Sequence, residues 1–379
     1  MSDEEHGAAL AITYLTVDNL AEDVNASQVL PYVEGLARRG ATVVLHSFEA
    51  GPASEDAASR LRAAGVDWRR HPFGRMGHVG GLGRVLRGAW FVRRASVVHG
   101  RGDLPALAAS LRRKRPFVWD MRGFWVDERI TIGSLRRGSL VERVLRRGER
   151  RLARRSQRII ALSTAALAEL RSRHGAQVAD KVIVLPTCVD LDRFPVAPFR
   201  ADPVVAMLAG TLSQRYDVPL MVELVDRLRR DHDVVFEVVT PADSPWLTAL
   251  SDAGATVSSA APQEMPAIVA RSTICLSVLR PDPASVAGTV PTKIAEFLAT
   301  GRPIVVNPGL GDLDAIIDEF DCGVVLRSSS AAMDAAVARL DELLADPELP
   351  TRCRRAAESH FDLSTAIMSL ETLYRALDR

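Results

Sequence analysis

The chain of 379 residues is 47% hydrophobic and 25% charged, which is typical of a soluble globular protein with two or three domains. No segment approaches the roughly 18 apolar residues of a membrane-spanning helix, and the acidic start MSDEEHG is unlike a signal peptide. The four cysteines form no close pair in the sequence, which predicts free thiols, a reducing cytoplasm and no metal site.

The net charge of +1 conceals an uneven distribution along the chain. Residues 1–197 carry 32 basic and 21 acidic side chains, a net charge of +11, whereas residues 198–379 carry 16 and 26, a net charge of −10. The sign changes within a stretch that contains three prolines and no regular period, RFPVAPFRADP at 193–203. This change predicts a domain boundary after residue 197.

Short apolar strands alternate with helical patterns throughout the chain. In the first half, strands are predicted at 10–17, 41–48, 96–99, 117–119, 158–162 and 182–185, with a helix at 29–39 and a glycine-rich segment at 71–83. In the second half, strands are predicted at 204–208, 234–240, 274–278, 304–306 and 323–326, with helices at 219–230, 247–253 and 363–377. Such alternation predicts two α/β units, each around a doubly wound parallel sheet.

The loop after the first strand, residues 18–28, leads directly into a predicted helix. Asn25 or Ser27 is expected to cap this helix through its side-chain oxygen. The functional alternative is that Asn25, Ser27 and Gln28 contact a substrate.

Polar and aromatic side chains follow two other strands of the first half, in the segments 99–103 and 119–125. Ligands of open α/β sheets bind outside the carboxyl ends of the strands. His99, Arg101, Asp120 and Arg122 are therefore candidates for substrate contact. The alternative is structural, with Asp120 paired to Arg122 under a loop and His99 satisfied inside the fold.

The stretch 136–158 is rich in arginine and has a helical apolar period. Leu140, Val144, Leu145 and Leu152 fall on one predicted face, with arginines around it. One interpretation is a surface helix that packs this face on the sheet. The other is peripheral contact with anionic membrane lipid. The stretch lacks the interleaved aromatic residues of a nucleic-acid platform, so we expect no nucleic acid partner.

The loop Gly-Thr-Leu-Ser-Gln-Arg at 210–215 follows the first predicted strand of the second half. Gly210 permits close approach of the backbone, and Arg215 can bind a phosphate through two hydrogen bonds. Gly210, Thr211 and Arg215 are therefore predicted to contact an anionic ligand. A turn with a solvated arginine is the alternative.

The stretch TVPTKIAEFLATGRPIVV at 289–306 predicts a loop, a helix and a buried strand. Pro291 suits the start of the helix, and Gly301 suits its end. Lys293 lies in the first turn, where a cation opposes the helix dipole unless an anion binds there. A diphosphate would fit this helix end and its lysine, and Glu296 would suit ribose hydroxyls. The predicted contacts are Thr289, Val290, Pro291, Thr292, Lys293 and Glu296.

The segment 289–306 resembles the donor-site helix of retaining GT-B glycosyltransferases, the group 1 sugar transferases of family 4. The segments 185–194 and 204–215 and the Asp-Met-Arg-Gly sequence at 120–123 are similar to parts of the same family. Two positions depart from the family pattern. The first of its two glutamates, eight positions before Glu296, is Gly288, and the usual arginine after the loop glycine is Thr211.

The resemblance implies a GT-B fold, in which two Rossmann-like domains face each other across a cleft. Residues 1–197 would form the acceptor domain, 198–362 the nucleotide-sugar donor domain, and 363–379 a helix that crosses back to the first domain. The implied reaction transfers a sugar from a nucleoside-diphosphate sugar to an acceptor hydroxyl, with retention of the anomeric configuration.

The resemblance also implies roles for the predicted site residues. Arg215 and Lys293 would stabilise the leaving diphosphate, and Asp120 would orient a hydroxyl. A leaving phosphate oxygen would take the acceptor proton, so no metal and no other cofactor is expected. The acceptor, which is a glycan, a lipid-linked molecule or a small molecule, would contact Asn25, Ser27, Gln28, His99, Arg101 and Arg122.

Two other functions stay open at the level of sequence. A sugar-nucleotide epimerase of the same shape would need an acid–base pair in the cleft, for which Asp120 and His99 are the available groups. A non-catalytic protein would bind a nucleotide sugar or a glycan without turnover. The sequence does not identify the nucleobase, the sugar, the acceptor, the linkage or the oligomeric state.

Overall fold

The computed structural model describes residues 10–20, 23–74, 77–112, 115–241 and 243–378. These residues form two α/β units, each built around a sheet in which the paired strands run parallel. The architecture is the predicted one, two Rossmann-like sheets in a single chain. The apolar strand runs explain it, because parallel strands are covered by helices on both faces.

The first sheet has seven strands in the order β3-β2-β1-β4-β5-β6-β7. They are β1 (Ala11–Thr16), β2 (Thr42–Glu49), β3 (Asp67–Pro72), β4 (Val97–Arg101), β5 (Phe117–Asp120), β6 (Arg158–Ala161) and β7 (Val182–Val184). The strand order reverses between β1 and β4, and the crevice at such a reversal is where ligands of doubly wound sheets bind.

The helices of the first unit divide between the two faces of its sheet. One core includes α1 (Asp23–Arg38) and α2 (Glu55–Ala63). The opposite core includes α3 (Gly77–Phe91), α4 (Asp103–Ser110), α6 (Leu140–Arg155) and α7 (Thr164–His174). The short helices α5 (Trp125–Thr131) and α8 (Ala176–Ala179) complete the unit.

The second sheet has six strands in the order β10-β9-β8-β11-β12-β13. They are β8 (Val204–Ala209), β9 (Val234–Val239), β10 (Thr256–Ser258), β11 (Ile274–Ser277), β12 (Ile304–Val306) and β13 (Gly323–Val325). Its helices are α9 (Val218–Leu228), α10 (Leu247–Asp252), α11 (Met265–Ala270), α12 (Pro283–Ala287), α13 (Thr292–Ala299), α14 (Leu313–Phe320), α15 (Ser330–Leu344) and α16 (Leu349–His360).

The last helix, α17 (Leu363–Leu377), packs against α1 rather than against the second sheet. Ile367 of α17 faces Gly35 of α1, and Glu371 accepts a hydrogen bond of 2.5 Å from Nε of Arg39. The chain therefore returns to the first unit at its end. The domain limits at 197 and 362 stay predictions.

Some local predictions were wrong. Helix α1 begins at Asp23, so Asn25 and Ser27 lie inside the helix and do not cap it. The glycine-rich segment 71–83, for which no element was predicted, contributes to β3 and α3. The edge strands β3 and β10 were missed. The predicted apolar face of α6 is divided, because Leu152 is buried while Leu140 and Val144 are 75% and 62% exposed.

Candidate active site

Lys293 lies in the first turn of α13, beside the end of β8. Its side chain is 7% exposed in total, and its Nζ is buried without a hydrogen-bond partner. The ammonium group lies 4.5 Å from the ring centroid of Tyr216, a cation–π contact that offsets part of the lost hydration. A buried ammonium without an acceptor is costly, so this position suits an anionic ligand.

Gly210 keeps the space in front of Lys293 open. It directly follows β8 with φ +102°, a conformation that favours glycine, and a Cβ at this position would lie 3.5 Å from Nζ of Lys293. The absence of a side chain here permits a ligand to approach both the backbone and the lysine. The sequence prediction for Gly210 and Lys293 thus corresponds to one contiguous place in the structure.

Arg215 lies in the loop that follows Gly210 and reaches the α12–α13 connection. One terminal nitrogen donates to Oγ of Ser285 at 2.9 Å and to Oγ1 of Thr289 at 2.7 Å. The other terminal nitrogen lies 3.3 Å from Oε1 of Glu128, in α5 of the first unit. Tyr216, which follows Arg215 in the chain, contacts Lys293 with its ring. Arg215 also donates to Thr289, four residues before Lys293. The two predicted cations therefore belong to one cluster.

The other predicted donor residues lie near this cluster, and their side chains differ in exposure to solvent. Thr211 is exposed, Val290 is buried, and Thr289, Pro291 and Thr292 are partly buried at the start of α13. Pro291 occupies the N-cap position, as the sequence predicted for the start of the helix.

Glu296 is one turn further along α13. Burial raises its pKa to about 7, while the nearby charges of Arg193 and Lys293 act in the opposite direction. The carboxyl group therefore changes protonation near neutral pH, and in either form it can hydrogen-bond a hydroxyl.

The predicted acceptor residues of the first unit form a second, buried cluster around Asp120. The carboxylate of Asp120 lies 3.2 Å from Nε2 of His99 and 3.4 Å from nitrogens of Arg101 and Arg122. Burial by itself would raise the pKa of Asp120, but Arg122, His99 and Arg101 outweigh it and hold the pKa well below the usual range. Asp120 is therefore an ionised, fully paired carboxylate.

Both ring nitrogens of His99 have partners. Because Nε2 donates to the carboxylate of Asp120, Nδ1 accepts the hydroxyl proton of Tyr374, at 2.7 Å. The ring also stacks on Tyr14, with centroids 4.2 Å apart, and burial lowers the pKa of His99. These contacts are those of the structural alternative, a satisfied histidine inside the fold.

Arg101 and Arg122 connect the Asp120 cluster to neighbouring segments. Arg101 Nε donates to Asp18 at 2.6 Å, and Arg122 donates to Oε1 of Gln28 at 3.4 Å and to Oγ1 of Thr187 at 3.3 Å. Gln28 is thus brought into the cluster.

Two further residues were predicted in the 18–28 loop. Ser27 is partly buried in α1, and its backbone carbonyl accepts from Nε2 of Gln28 at 3.5 Å. The side chain of Asn25 lies outside the described residues.

The two units meet where the Asp120 segment touches the α12–α13 connection. Ser163 donates to the carbonyl of Ala287 at 2.5 Å, and Asp312 accepts from the hydroxyl of Thr164 at 2.6 Å. Gly288 lies against Phe124, so that a Cβ at 288 would be 2.8 Å from the Phe124 ring. The first unit therefore occupies the space that a glutamate at position 288 would need.

Sequence reasoning missed several residues of these clusters. Asp18 follows β1 at the same sheet edge as Arg101 and was recognisable by its position after a strand. Glu128, Thr187 and Tyr374 lie far in sequence from their partners, and no local pattern marks them. An additional aromatic group, His46 and His71 with Phe91, lies beside an open cavity of about 550 Å³ at the ends of β2 and β3.

The described residues contain no group of three or more His, Cys, Asp or Glu side chains that could hold a metal ion. Among the same residues, no helix is long and apolar enough to cross a membrane. The four cysteines are buried and unbridged.

Comparison with known proteins agrees with this architecture. The model of Glycosyltransferase Family 4 matches residues 27–193, and that of the glycosyl transferase-like family matches residues 218–365. No curated protein sequence matches the chain.

Several solved structures share the fold. Sucrose-phosphate synthase from Thermosynechococcus elongatus has a TM-score of 0.74 at 15% identity, covering 97% of this chain and 98% of that one. Anabaena HepE in complex with UDP and glucose has a TM-score of 0.70 at 16% identity, covering 96% and 98%. A glycosyltransferase from Rickettsia africae has a TM-score of 0.70 at 13% identity, covering 98% and 99%.

The chain has a GT-B-type fold, with two Rossmann-like units in contact. The second unit contributes the cationic cluster around Lys293, and the first contributes the polar cluster around Asp120. The chain belongs to the group 1 GT-B glycosyltransferases, since the two family models cover most of its length. It is an enzyme that transfers a glycosyl group.

Proposed function

We propose that the protein transfers a sugar from a nucleoside-diphosphate sugar to an acceptor hydroxyl, with retention of the anomeric configuration. The observation that carries the proposal is the ammonium group of Lys293, which is buried without an acceptor, faces Gly210 and lies in one cluster with Arg215. Two cations at a helix N-terminus suit a diphosphate leaving group. HepE, a similar structure, has been solved with UDP and with UDP-glucose, which makes UDP-glucose the first donor to test.

The chemistry follows from the charge that develops when the bond between sugar and diphosphate breaks. Lys293, Arg215 and the amide groups that begin α13 would stabilise that charge. Each charge-assisted hydrogen bond contributes about 1.5–3 kcal/mol. A hydrogen bond of this strength that forms only in the transition state raises the rate roughly 10–100-fold.

The acceptor hydroxyl would attack on the face from which the diphosphate departs, and a phosphate oxygen would take its proton. No separate base is then required. The ionised state of Asp120 suits orientation of a hydroxyl rather than proton donation, because its pKa lies well below the usual range. We also propose that the reaction needs no metal ion. Lys293 and Arg215 would neutralise the diphosphate charge that a metal ion would otherwise neutralise.

The test is titration calorimetry of UDP and UDP-glucose on the wild type and on Lys293→Ala. Lys181→Ala is the matched control, because Lys181 is a half-buried lysine of the first unit that donates to a backbone carbonyl of α6. We expect Lys293→Ala to weaken UDP binding by roughly 10–100-fold and Lys181→Ala to leave it unchanged. If UDP, GDP, dTDP and ADP all fail to bind the folded wild type, the donor proposal is wrong.

Transfer itself is tested with the donor that binds. Release of the nucleoside diphosphate that depends on an added acceptor, with a product of the donor's anomeric configuration by NMR, would support the proposal. Conversion of the nucleotide sugar without an acceptor would favour epimerisation. Binding with no turnover on any acceptor would favour a binding protein.

A further inference from the structure

Helices α3, α4 and α6 lie side by side on the face of the first sheet that is opposite to α1 and α17. Helix α4 packs against both neighbours. A Cβ at Gly81 of α3 would lie 4.0 Å from Leu104 of α4, and one at Gly148 of α6 would lie 3.5 Å from Leu107 of α4. The outer side of this layer exposes large apolar side chains, 55–75% exposed, at Val79, Leu82, Leu86, Trp90, Leu140 and Val144. We call this surface, with its arginines, the amphipathic face.

The apolar positions of the amphipathic face are ordered. Residues 79, 82, 86 and 90 fall along one side of α3, because their spacing matches the helical period. Isolated exposed leucines are ordinary on protein surfaces, whereas a row along a helix marks a surface that contacts something apolar. Among the residues that the structure describes, packing does not cover this row, since its side chains are more than half exposed.

Positive charge lies on α6, which packs on the other side of α4 from this row. The exposed positions of α6 include five arginines, at Arg143, Arg147, Arg150, Arg151 and Arg154. The two glutamates of α6, Glu142 and Glu149, both pair with Arg146. Helix α3 contains no acidic residue. The amphipathic face therefore combines apolar side chains with uncompensated arginines.

We propose that the amphipathic face docks on an anionic lipid bilayer. The apolar side chains of α3 would enter the boundary between headgroups and acyl chains, and the arginines of α6 would contact lipid phosphates. This extends the hypothesis for residues 136–158 to a second helix, and it does not depend on the donor proposal.

Two observations favour lipid over an acidic protein. The guanidinium of Arg93 lies 4.0 Å above the ring of Trp90, so that an aromatic ring and a cation stand at the same level of the surface. This arrangement suits the boundary between acyl chains and phosphates. In addition, the exposed apolar and basic positions extend over two helices, α3 and α6, which matches an extended surface of negative charge.

The test is sedimentation of the full chain with vesicles of phosphatidylcholine alone, or of equal parts phosphatidylcholine and phosphatidylglycerol. We expect binding to the mixed vesicles and weak binding to the neutral ones. Arg143→Gln with Arg147→Gln should lower the partition coefficient roughly 25-fold, at about fivefold for each arginine near the surface. Leu82→Ser with Leu86→Ser should lower it about tenfold or more.

The matched control is Arg230→Gln with Arg355→Gln, which removes two exposed arginines from the second unit. It should bind vesicles like the wild type. Thermal unfolding midpoints verify that every variant is folded. The glutamines and serines introduced on the amphipathic face are polar residues that tolerate exposure to solvent. The proposal is overturned if the wild type ignores the lipid charge, or if the two α3 substitutions leave binding unchanged. A stable complex with an acidic protein and no vesicle binding would assign the face to a protein partner.

Discussion

Glu128 of α5 and Arg215 of the β8–α9 loop form an ion pair between the two units, with Oε1 and Nη1 3.3 Å apart. Burial raises the pKa of Glu128, and the charge of Arg215 acts against this rise. A diphosphate that binds beside Lys293 would compete with this carboxylate for the guanidinium group. The ion pair would thus link binding of a diphosphate beside Lys293 to the contact between the units.

Glu128→Gln should strengthen diphosphate binding. Removing the competing charge leaves Arg215 held by Ser285 and Thr289, in the position where it would meet the ligand. We expect the dissociation constant of UDP to fall by roughly three- to tenfold. This factor corresponds to the free energy that a partly exposed ion pair and its hydrogen bond contribute. Titration calorimetry measures it, with Glu142→Gln on α6 as the control. Weaker binding would mean that Glu128 positions Arg215 instead of competing for it.

Asp120→Asn should destabilise the first unit strongly. The substitution leaves Arg101 and Arg122 in a buried cluster without their shared carboxylate, which costs about 3–5 kcal/mol of unfolding free energy. Asp67→Asn is the control, because its partner Arg69 is exposed and such pairs contribute about 0–1 kcal/mol. Denaturant unfolding at neutral pH compares the two. Equal costs would show that the Asp120 cluster is dispensable for stability.

The same cluster has a defined pH dependence. Because the pKa of Asp120 is lowered in the folded state, its contribution is complete above the unfolded value of 3.8 and is lost as the pH falls below it. The difference in stability between wild type and Asp120→Asn should therefore shrink in acid.

The cluster around Lys293 was predictable as a structural feature because its signals are local. Pro291, Lys293 and Gly301 lie within one turn-helix-turn stretch, and each residue type has a physical preference at its position. The Asp120 cluster was predictable only in part. His99, Arg101 and Asp120 follow strands, so the parallel-sheet rule brings them to one edge.

The contacts that the sequence did not reveal are long-range or lack periodicity. Tyr374 reaches His99 from the last helix, and Glu128 reaches Arg215 from another unit. The edge strand β3 has the sequence DWRRHP, which is too polar to show strand alternation. Gly288 is explained by Phe124, which fills the space beside it, and only the three-dimensional contact shows this.

Glu296 should make stability pH-dependent near neutrality. Its pKa rises from 4.5 to about 7 on folding, so the folded state holds a proton that the unfolded state has released in this window. The contribution of Glu296 to stability therefore falls as the pH rises from about 4.5 to 7, by an amount on the order of 3 kcal/mol. Glu296→Gln should flatten this slope, whereas Glu264→Gln, an exposed glutamate, should leave it intact. Thermal midpoints measured across the window provide the comparison. Parallel curves for wild type and Glu296→Gln would contradict the raised pKa.

Gly35→Ala tests how α17 is held on α1. A Cβ at Gly35 would overlap with Cδ1 of Ile367, so the substitution overpacks the crossing of the two helices. We expect a cost of about 1–3 kcal/mol, which exceeds the gain in helix propensity. Gly83→Ala is the matched control, because a Cβ at this helical glycine meets nothing within 4 Å. It should stabilise the fold by roughly 0.5–1 kcal/mol.

The combination of Gly35→Ala with Ile367→Val separates overpacking from other causes. Valine lacks the Cδ1 atom that the new Cβ would meet, so the double variant should recover most of the stability lost in Gly35→Ala. Ile367→Val alone should cost about 0.5–1.5 kcal/mol, as expected for a buried methyl group. Chemical denaturation of the four proteins gives the interaction energy of the cycle. Simple additivity of the two single costs would show that Gly35 is required for a reason other than the close approach of α17.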